Sequence, residues 1–229
     1  MEGQTELLFV RKLLNEIAGE KNIEIEEQHA KKSEEGRRVF TTISEIRAFS
    51  RTTSKKYYVL IRDCGSENNV KSDILDSYKS LSRQPYEKIL GLRDVYPQKY
   101  DDIARLKTGL KFGVTPRSIP VRIMLAVMEV EAWFLAETTH YTEIHPSLTL
   151  AFIKSRLHLD LERIDLERRP HPAQDLNNIY HLVGFAYNKS KRNVLRTIKA
   201  LDFSTIYFVL KERITFLGEF ITELDAFLA

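Results

Sequence analysis

At 229 residues the chain can hold one domain, or a domain with a sizeable appendage. Its 43% hydrophobic and 29% charged residues suit a globular protein, and no apolar run approaches the roughly 20 residues that would span a membrane, so no membrane partner is expected. A net charge of +3 excludes no class of partner; the single cysteine, Cys64, excludes an internal disulfide and fits a reducing cytoplasm, the expected location. The acidic opening carries no signal-peptide pattern.

Leu7, Leu8, Phe9, Leu13, Leu14 and Ile17 recur at helical spacing, which predicts a helix over about residues 6–20 with Thr5 as its N-cap. Ile23-Glu24-Ile25-Glu26 alternates like a short strand, residues 36–38 read as a loop, and Val39-Phe40 follows it. Tyr57-Tyr58-Val59-Leu60-Ile61 is an apolar run of strand length. Val70, Ile74, Leu75, Tyr78 and Leu81 then set a helical period over about residues 68–82. A buried strand is expected over residues 88–95, stopped by Tyr96-Pro97, then a helix over 100–111, a break at 113–116 and a strand over 119–127. This alternation predicts an α/β fold with a parallel sheet and flanking crossover helices.

After about Thr139 the pattern turns helical, over residues 148–157, 173–187, 190–201 and two amphipathic stretches within 206–228. Arg168-Arg169-Pro170-His171-Pro172 reads as a rigid exposed connector among them. The expected division is an α/β domain over residues 1–139 and a helical C-terminal region over 140–229.

Ligands of parallel sheets gather beyond the carboxyl ends of the strands, and Asp63, Asp94, Glu129 and Glu131 fall at or just after such ends. Glu2-Gly3-Gln4-Thr5-Glu6 adds two carboxylates beside a bend and a helix N-terminus, which suits a divalent cation and a phosphate. Each acid also has a plainer explanation. Glu2 and Glu6 answer the helix dipole, Asp94 can pair with Arg93, and Arg122 can offset Glu129 and Glu131. The Asp63-Cys64-Gly65-Ser66 turn can cradle a phosphate through backbone N–H groups. Trp133 reads as core, His171 as a surface residue, and the six histidines lack zinc-ligand spacing.

Basic residues gather at Lys31-Lys32, Arg37-Arg38, Arg51 to Lys56, and from Lys189 through Lys191, Arg192, Arg196 and Lys199. They read either as a solvated face or as a surface that follows a phosphate backbone. Lys189 could stabilise charge developing on a phosphoryl group.

Glu2-Gly3-Gln4-Thr5-Glu6, Gly91-Leu92-Arg93-Asp94-Val95-Tyr96-Pro97 and Met128-Glu129-Val130-Glu131-Ala132-Trp133-Phe134, taken together, resemble the TOPRIM-type proteins of a bacterial family. These are relatives of the overcoming-lysogenisation-defect (OLD) nucleases and often accompany ABC-type ATPases in phage defence. The resemblance covers roughly residues 1–137, and Tyr187-Asn188-Lys189 resembles the family loosely in the tail. It implies that Glu2, with Glu6 beside it, is the glutamate of the site, and that Asp94 is the first aspartate of an Asp-x-Asp pair. Tyr96 stands where the second aspartate belongs, so Glu129 and Glu131 would supply the missing oxygens, Glu131 being the better match. The family's turn is preceded by a hydrophobic strand, which gives the expectation that Met1 stands for an internal residue of a longer chain.

The resulting expectation is a TOPRIM-like nuclease that hydrolyses a phosphodiester with Mg²⁺ or Mn²⁺, ions that hard carboxylate oxygens favour. Glu2, Glu6, Asp94, Glu131 and Lys189 would be catalytic, and Glu2, Asp63, Asp94, Glu129 and Glu131 would hold metal. The implied partners are a nucleic acid, DNA or RNA, and an ABC-type ATPase; homo-oligomerisation is left open. The alternative is a non-catalytic TOPRIM-like module that binds an ATPase or nucleic acid. Primase or topoisomerase activity would need a further domain that the chain does not offer.

Overall fold

The computed structural model describes residues 1–32, 38–48, 55–111, 113 and 118–229. The expected loop at residues 36 and 37, the break at 114–116, and Arg37 and Arg51 lie outside the described residues, as do the side chains of Lys31, Lys32 and Arg38. The fold is mixed α/β, and the described chain forms two compact units assembled from separate stretches. The first comprises Met1–Arg93, Thr108–Met124 and Glu223–Ala229; the second comprises Asp94–Lys107 and Leu125–Thr222.

Helix α1 (Gln4–Ala18) buries the apolar stripe read from the sequence, with Leu7, Phe9 and Leu13 fully enclosed. Its N-cap is Gly3 rather than Thr5: Gly3 is extended, its carbonyl accepts the Leu7 N–H at 3.1 Å, and Thr5 is buried inside the first turn. Strand β1 (Asn22–Lys32) pairs antiparallel with β2 (Arg38–Ala48) and parallel with β3 (Lys56–Asp63). β1 is longer than the four alternating residues suggested, because β3 pairs with it as far as His29 and β2 as far as Lys32, so its polar half, from Glu26 on, has backbone partners. Ile23 and Ile25 are buried, while Glu24 pairs with Lys56 and Glu27 with Arg11 at 2.6 Å. Met1 continues the edge of β3: its amino group donates to the Arg62 carbonyl and its carbonyl accepts from the Cys64 N–H.

Helix α2 (Glu67–Leu81) leads to β4 (Ile89–Asp94), and a 3₁₀ turn (Tyr100–Asp102) with α3 (Ile103–Lys111) leads to β5 (Val121–Ala126). β4 and β5 form a two-stranded parallel sheet of their own. Among the described residues, the single parallel sheet expected from the strand order is two hydrogen-bonded sheets, one of them mixed. Between β3, β4 and α2 lies a cavity of about 90 Å³ lined by residues that include Met1, Ile61, Cys64, Ile74, Ile89 and Gly91. Gly91 allows α2 to approach β4, since a Cβ there would stand 3.1 Å from both Val70 and Ile74.

From residue 131 every element is helical: α4 (Glu131–Ala136), α5 (His140–Ile144), α6 (Leu150–Leu157), α7 (Pro172–His181) and α8 (Lys191–Ala200). A short 3₁₀ turn (Leu166–Arg168) precedes α7, and α9 (Phe203–Thr205), a π-helical turn (Ile206–Leu210), α10 (Lys211–Arg213) and α11 (Thr215–Leu228) close the chain. Trp133 is core, as expected, fully buried and stacked on Phe220. α7 stops six residues before Tyr187, where that helix was expected to end, because Gly184 turns left-handed and the Phe185 N–H reaches back to the Tyr180 carbonyl. Residues 185–190 are thereby released from the helix.

Among the second unit's carboxylates, Glu167 is half-buried, and burial pushes its pKa up to about 7, with Asp165 and Glu219 adding to the rise and the Phe216 N–H and Lys107 opposing it. A carboxyl group whose folded pKa lies above its unfolded value of about 4.3 contributes stability below that value and loses it as pH rises through about 7. Glu167→Gln is expected to match the wild type at pH 4 and to exceed it in denaturation midpoint at pH 8, measured by urea titration at both.

Candidate metal centre

Asp94, Glu129 and Glu131 form a group in which one carboxylate oxygen from each lies within 4.8 Å of the others. All three belong to the second unit. Local backbone structure accounts for the convergence. β4 and β5 run side by side, and their ends are tied by the Val95 N–H to the Ala126 carbonyl at 3.0 Å and the Tyr96 N–H to the Met128 carbonyl at 2.8 Å. Met128 then takes a left-handed conformation (φ 57°), a rare state for a residue with a side chain, and turns the chain into Glu129 and α4. Asp94 Oδ1 accepts the Val130 N–H at 3.2 Å, fixing the strand-end aspartate to that turn.

Each glutamate is held on its far side by the helical region. Glu129 Oε2 accepts the Ala173 N–H at 3.1 Å in the first turn of α7, where the helix dipole favours a negative charge. Glu131 has no solvent exposure, and its Oε1 accepts the Tyr187 hydroxyl at 2.8 Å. Lys189 Nζ lies 2.8 Å from Glu129 Oε1 and 3.3 Å from Glu131 Oε2, so one ammonium bridges two of the three acids. Burial opposes the charge on that ammonium, but Glu131, Glu129 and Asp94 outweigh it and raise its pKa above the usual lysine value. Lys189 is itself left-handed (φ 58°), and its side chain keeps 41% exposure. Strained residues of this kind cost of order 1–3 kcal/mol and cluster where a function requires them. Here two of them flank one acidic cluster.

The cation opposite Glu129 and Glu131 is thus Lys189, not Arg122, which pairs with Glu223 in the first unit. Lys189 lies on the loop before α8 rather than on the basic helix. Glu2, Glu6 and Asp63 belong to the first unit and are not members of the cluster. Glu6 is buried in the first turn of α1; Asp63 Oδ1 accepts the Gly65 N–H at 2.8 Å, and Asp63 Oδ2 lies 3.5 Å from His29 Nδ1. Tyr96 is 42% exposed, with its ring edge-on to His171.

On α8, Lys191, Arg192 and Lys199 are exposed, whereas Arg196 is not the free surface residue expected. Its guanidinium lies over the rings of Phe185 and Tyr180 and donates to the Ala186 carbonyl, so it packs the 185–189 loop. Tyr187 is the participant that sequence reasoning undervalued; the Tyr-x-Lys spacing was its signal. A second buried carboxylate, Glu137, offers a contrast. It accepts from the Thr139 N–H and hydroxyl, the His140 N–H and the Asp202 N–H, so its oxygens are consumed by the protein itself.

The donor set fits a hard divalent cation. Oxygens bound to one Mg²⁺ at about 2.1 Å lie about 3 Å apart when adjacent and about 4.2 Å when opposite. A spread of up to 4.8 Å is within side-chain adjustment of that sphere. Tyr187→Phe is expected to cost about 1.5–3 kcal/mol, the range for losing a hydrogen bond to a buried charged group, read as a lower urea midpoint. No family model, no curated protein and no solved structure matches this chain.

Proposed function

We propose that the chain is a TOPRIM-like metal-dependent phosphodiesterase acting on nucleic acid, with Asp94, Glu129 and Glu131 as metal ligands and Mg²⁺ or Mn²⁺ as the ion. The observation that carries the reading is the grouping of these three acids at the ends of a parallel strand pair, with Lys189 against them. The resemblance in the 91–97 and 128–134 segments supports it. A divalent ion in such a site polarises the phosphoryl group and lowers the pKa of water. The chain's own residues set the geometry. The Val130 N–H orients Asp94, the first turn of α7 orients Glu129, and the Tyr187 hydroxyl orients Glu131. Lys189, on an exposed loop, would bring a positive charge to the scissile phosphate. The exposed Lys191, Arg192 and Lys199 would follow the phosphate backbone. Glu2 and Glu6 enter through the resemblance alone, as does a defence role beside an ABC-type ATPase.

Cleavage of a mixed set of DNA and RNA substrates is expected to require added Mg²⁺ or Mn²⁺ and to stop with EDTA. Glu131→Gln and Asp94→Asn should each lose roughly 100-fold or more, since even indirect partners of metal ligands are worth 10–100-fold. Activity that survives in EDTA would remove the metal mechanism. Full activity in Glu2→Gln would confine the site to the three acids and Lys189.

Tyr96 in place of an aspartate favours one other reading, a non-catalytic module that binds nucleic acid or an ATPase. Both readings predict that replacing Lys191, Arg192 and Lys199 with Ala flattens the salt dependence of nucleic-acid binding. The slope of log K against log salt should change by roughly 0.9 per lost duplex contact and 0.7 per single-strand contact. Only the enzyme reading predicts turnover.

A further inference from the structure

We infer that Lys189 is an internal counter-ion that occupies the acidic site until a divalent cation displaces it. The inference rests on the proposed metal reading of Asp94, Glu129 and Glu131, and it assigns Lys189 a role before any phosphate arrives.

The geometry is that of a substitute cation. Lys189 Nζ touches one oxygen of Glu129 and lies 3.3 Å from an oxygen of Glu131, two of the three proposed ligands. The remaining oxygen of each glutamate is engaged elsewhere, Glu129 by the Ala173 N–H and Glu131 by the Tyr187 hydroxyl. The oxygens facing the ammonium are therefore the ones left to face a metal. An ammonium and a divalent ion cannot share them, because like charges at such a distance in a partly desolvated site repel strongly.

The two partners differ in what holds them. Glu131 has no exposure and Glu129 side-chain exposure is 12%, so the acids are fixed in the protein. Lys189 is 41% exposed and sits on the loop between α7 and α8, with a four-carbon stem that can swing its charge into water. Its departure uncovers the carboxylates only where a divalent ion takes its place, whereas Glu129 and Glu131 could leave only by breaking their hydrogen bonds to the Ala173 N–H and the Tyr187 hydroxyl. The mobile member of the ion pair is the lysine.

Two consequences follow. Without metal, Lys189 compensates buried negative charge and lets the second unit fold. With metal, the ammonium is expelled close to the site, where an anionic phosphodiester would be its next partner. Metal loading would thus prepare the positive charge that substrate needs, and free enzyme would hold that charge back.

The test reads Lys189 directly in the unmodified chain. Protein treated with EDTA is pulse-acetylated with a lysine-reactive ester, with and without saturating Mn²⁺, and modification is quantified by mass spectrometry at Lys189 relative to Lys191. Labelling of Lys189 should rise several-fold with Mn²⁺ while Lys191 stays constant. Calorimetric titration with Mn²⁺ alone should show Lys189→Met binding roughly tenfold tighter than wild type, the effect of losing about 1.4 kcal/mol of competition. Lys189→Met should melt lower in EDTA and be restored by Mn²⁺. Lys189→Arg, which keeps the charge, serves as the folded control if Lys189→Met does not fold, and should bind no tighter than wild type. Mn²⁺ that binds the wild type without changing Lys189 labelling, or binds Lys189→Met no more tightly, overturns the displacement and leaves the metal reading standing. Absence of Mn²⁺ binding in both proteins overturns the two together.

Discussion

The arrangement of the second unit hangs on a carboxylate that has been taken out of water. Glu131 opens α4 with no exposure, in a helix that also buries Trp133, Phe134 and Leu135. An ionised group placed there costs several kcal/mol unless hydrogen bonds and opposite charge make it good. Tyr187 and Lys189 do so from more than 50 positions away in the chain. This requirement explains why α7 ends at His181 and why the following loop is packed beneath Arg196. A helix continued through residue 187 would carry the tyrosine and lysine past their partners. The ordering of a surface loop and the solvation of a buried acid are one problem here, with one solution.

Comparison with Glu137 separates structural acids from those available for chemistry. Glu137 is equally buried, yet its oxygens are taken up by backbone N–H groups and a hydroxyl within its own corner and at the start of α9, with the buried His140 ring 3.6 Å from Oε2. Backbone donors cannot leave without unfolding. Glu131 and Glu129 each turn one oxygen to a side-chain ammonium, which can. Burial alone would rank the two glutamates together; the identity of the donor divides them.

Helices α1 and α2 and strands β3, β4 and β5 were legible in the sequence to within a few residues, because each carries its own period, apolar stripes for the helices and continuous apolar runs for the strands; β1, β2 and the end of α7 were not. What escaped was whatever depends on a partner distant in the chain. The polar half of β1 has no strand signature, and its extension is set by β2 and β3. The separation of β4–β5 from β3 is likewise a matter of which edges meet. At the candidate site, Asp94, Glu129 and Glu131 were legible because strand-end acids are a local pattern. Their cation was not. Arg122 is nearer in sequence, and only the fold shows that it is engaged by Glu223 while Lys189 meets the acids. Arg196 escaped for the same reason, since an arginine in a basic run looks solvated until Phe185 and Tyr180 are placed beside it.

The last seven residues, Glu223–Ala229, belong to the same compact unit as the first helix and β3. Glu223 draws in both Lys88 and Arg122, the Leu228 carbonyl accepts the Tyr57 hydroxyl at 3.1 Å, and Phe227 packs edge-on to the Tyr57 ring. A chain cut where the sequence turns helical would lose these groups along with the helices, leaving a charged Lys88 and a buried tyrosine hydroxyl without those partners. Neither unit can be excised as a single piece of chain. Dissecting this protein calls for internal deletions with short linkers or for point substitutions, and an inactive truncation would say nothing about where the chemistry resides.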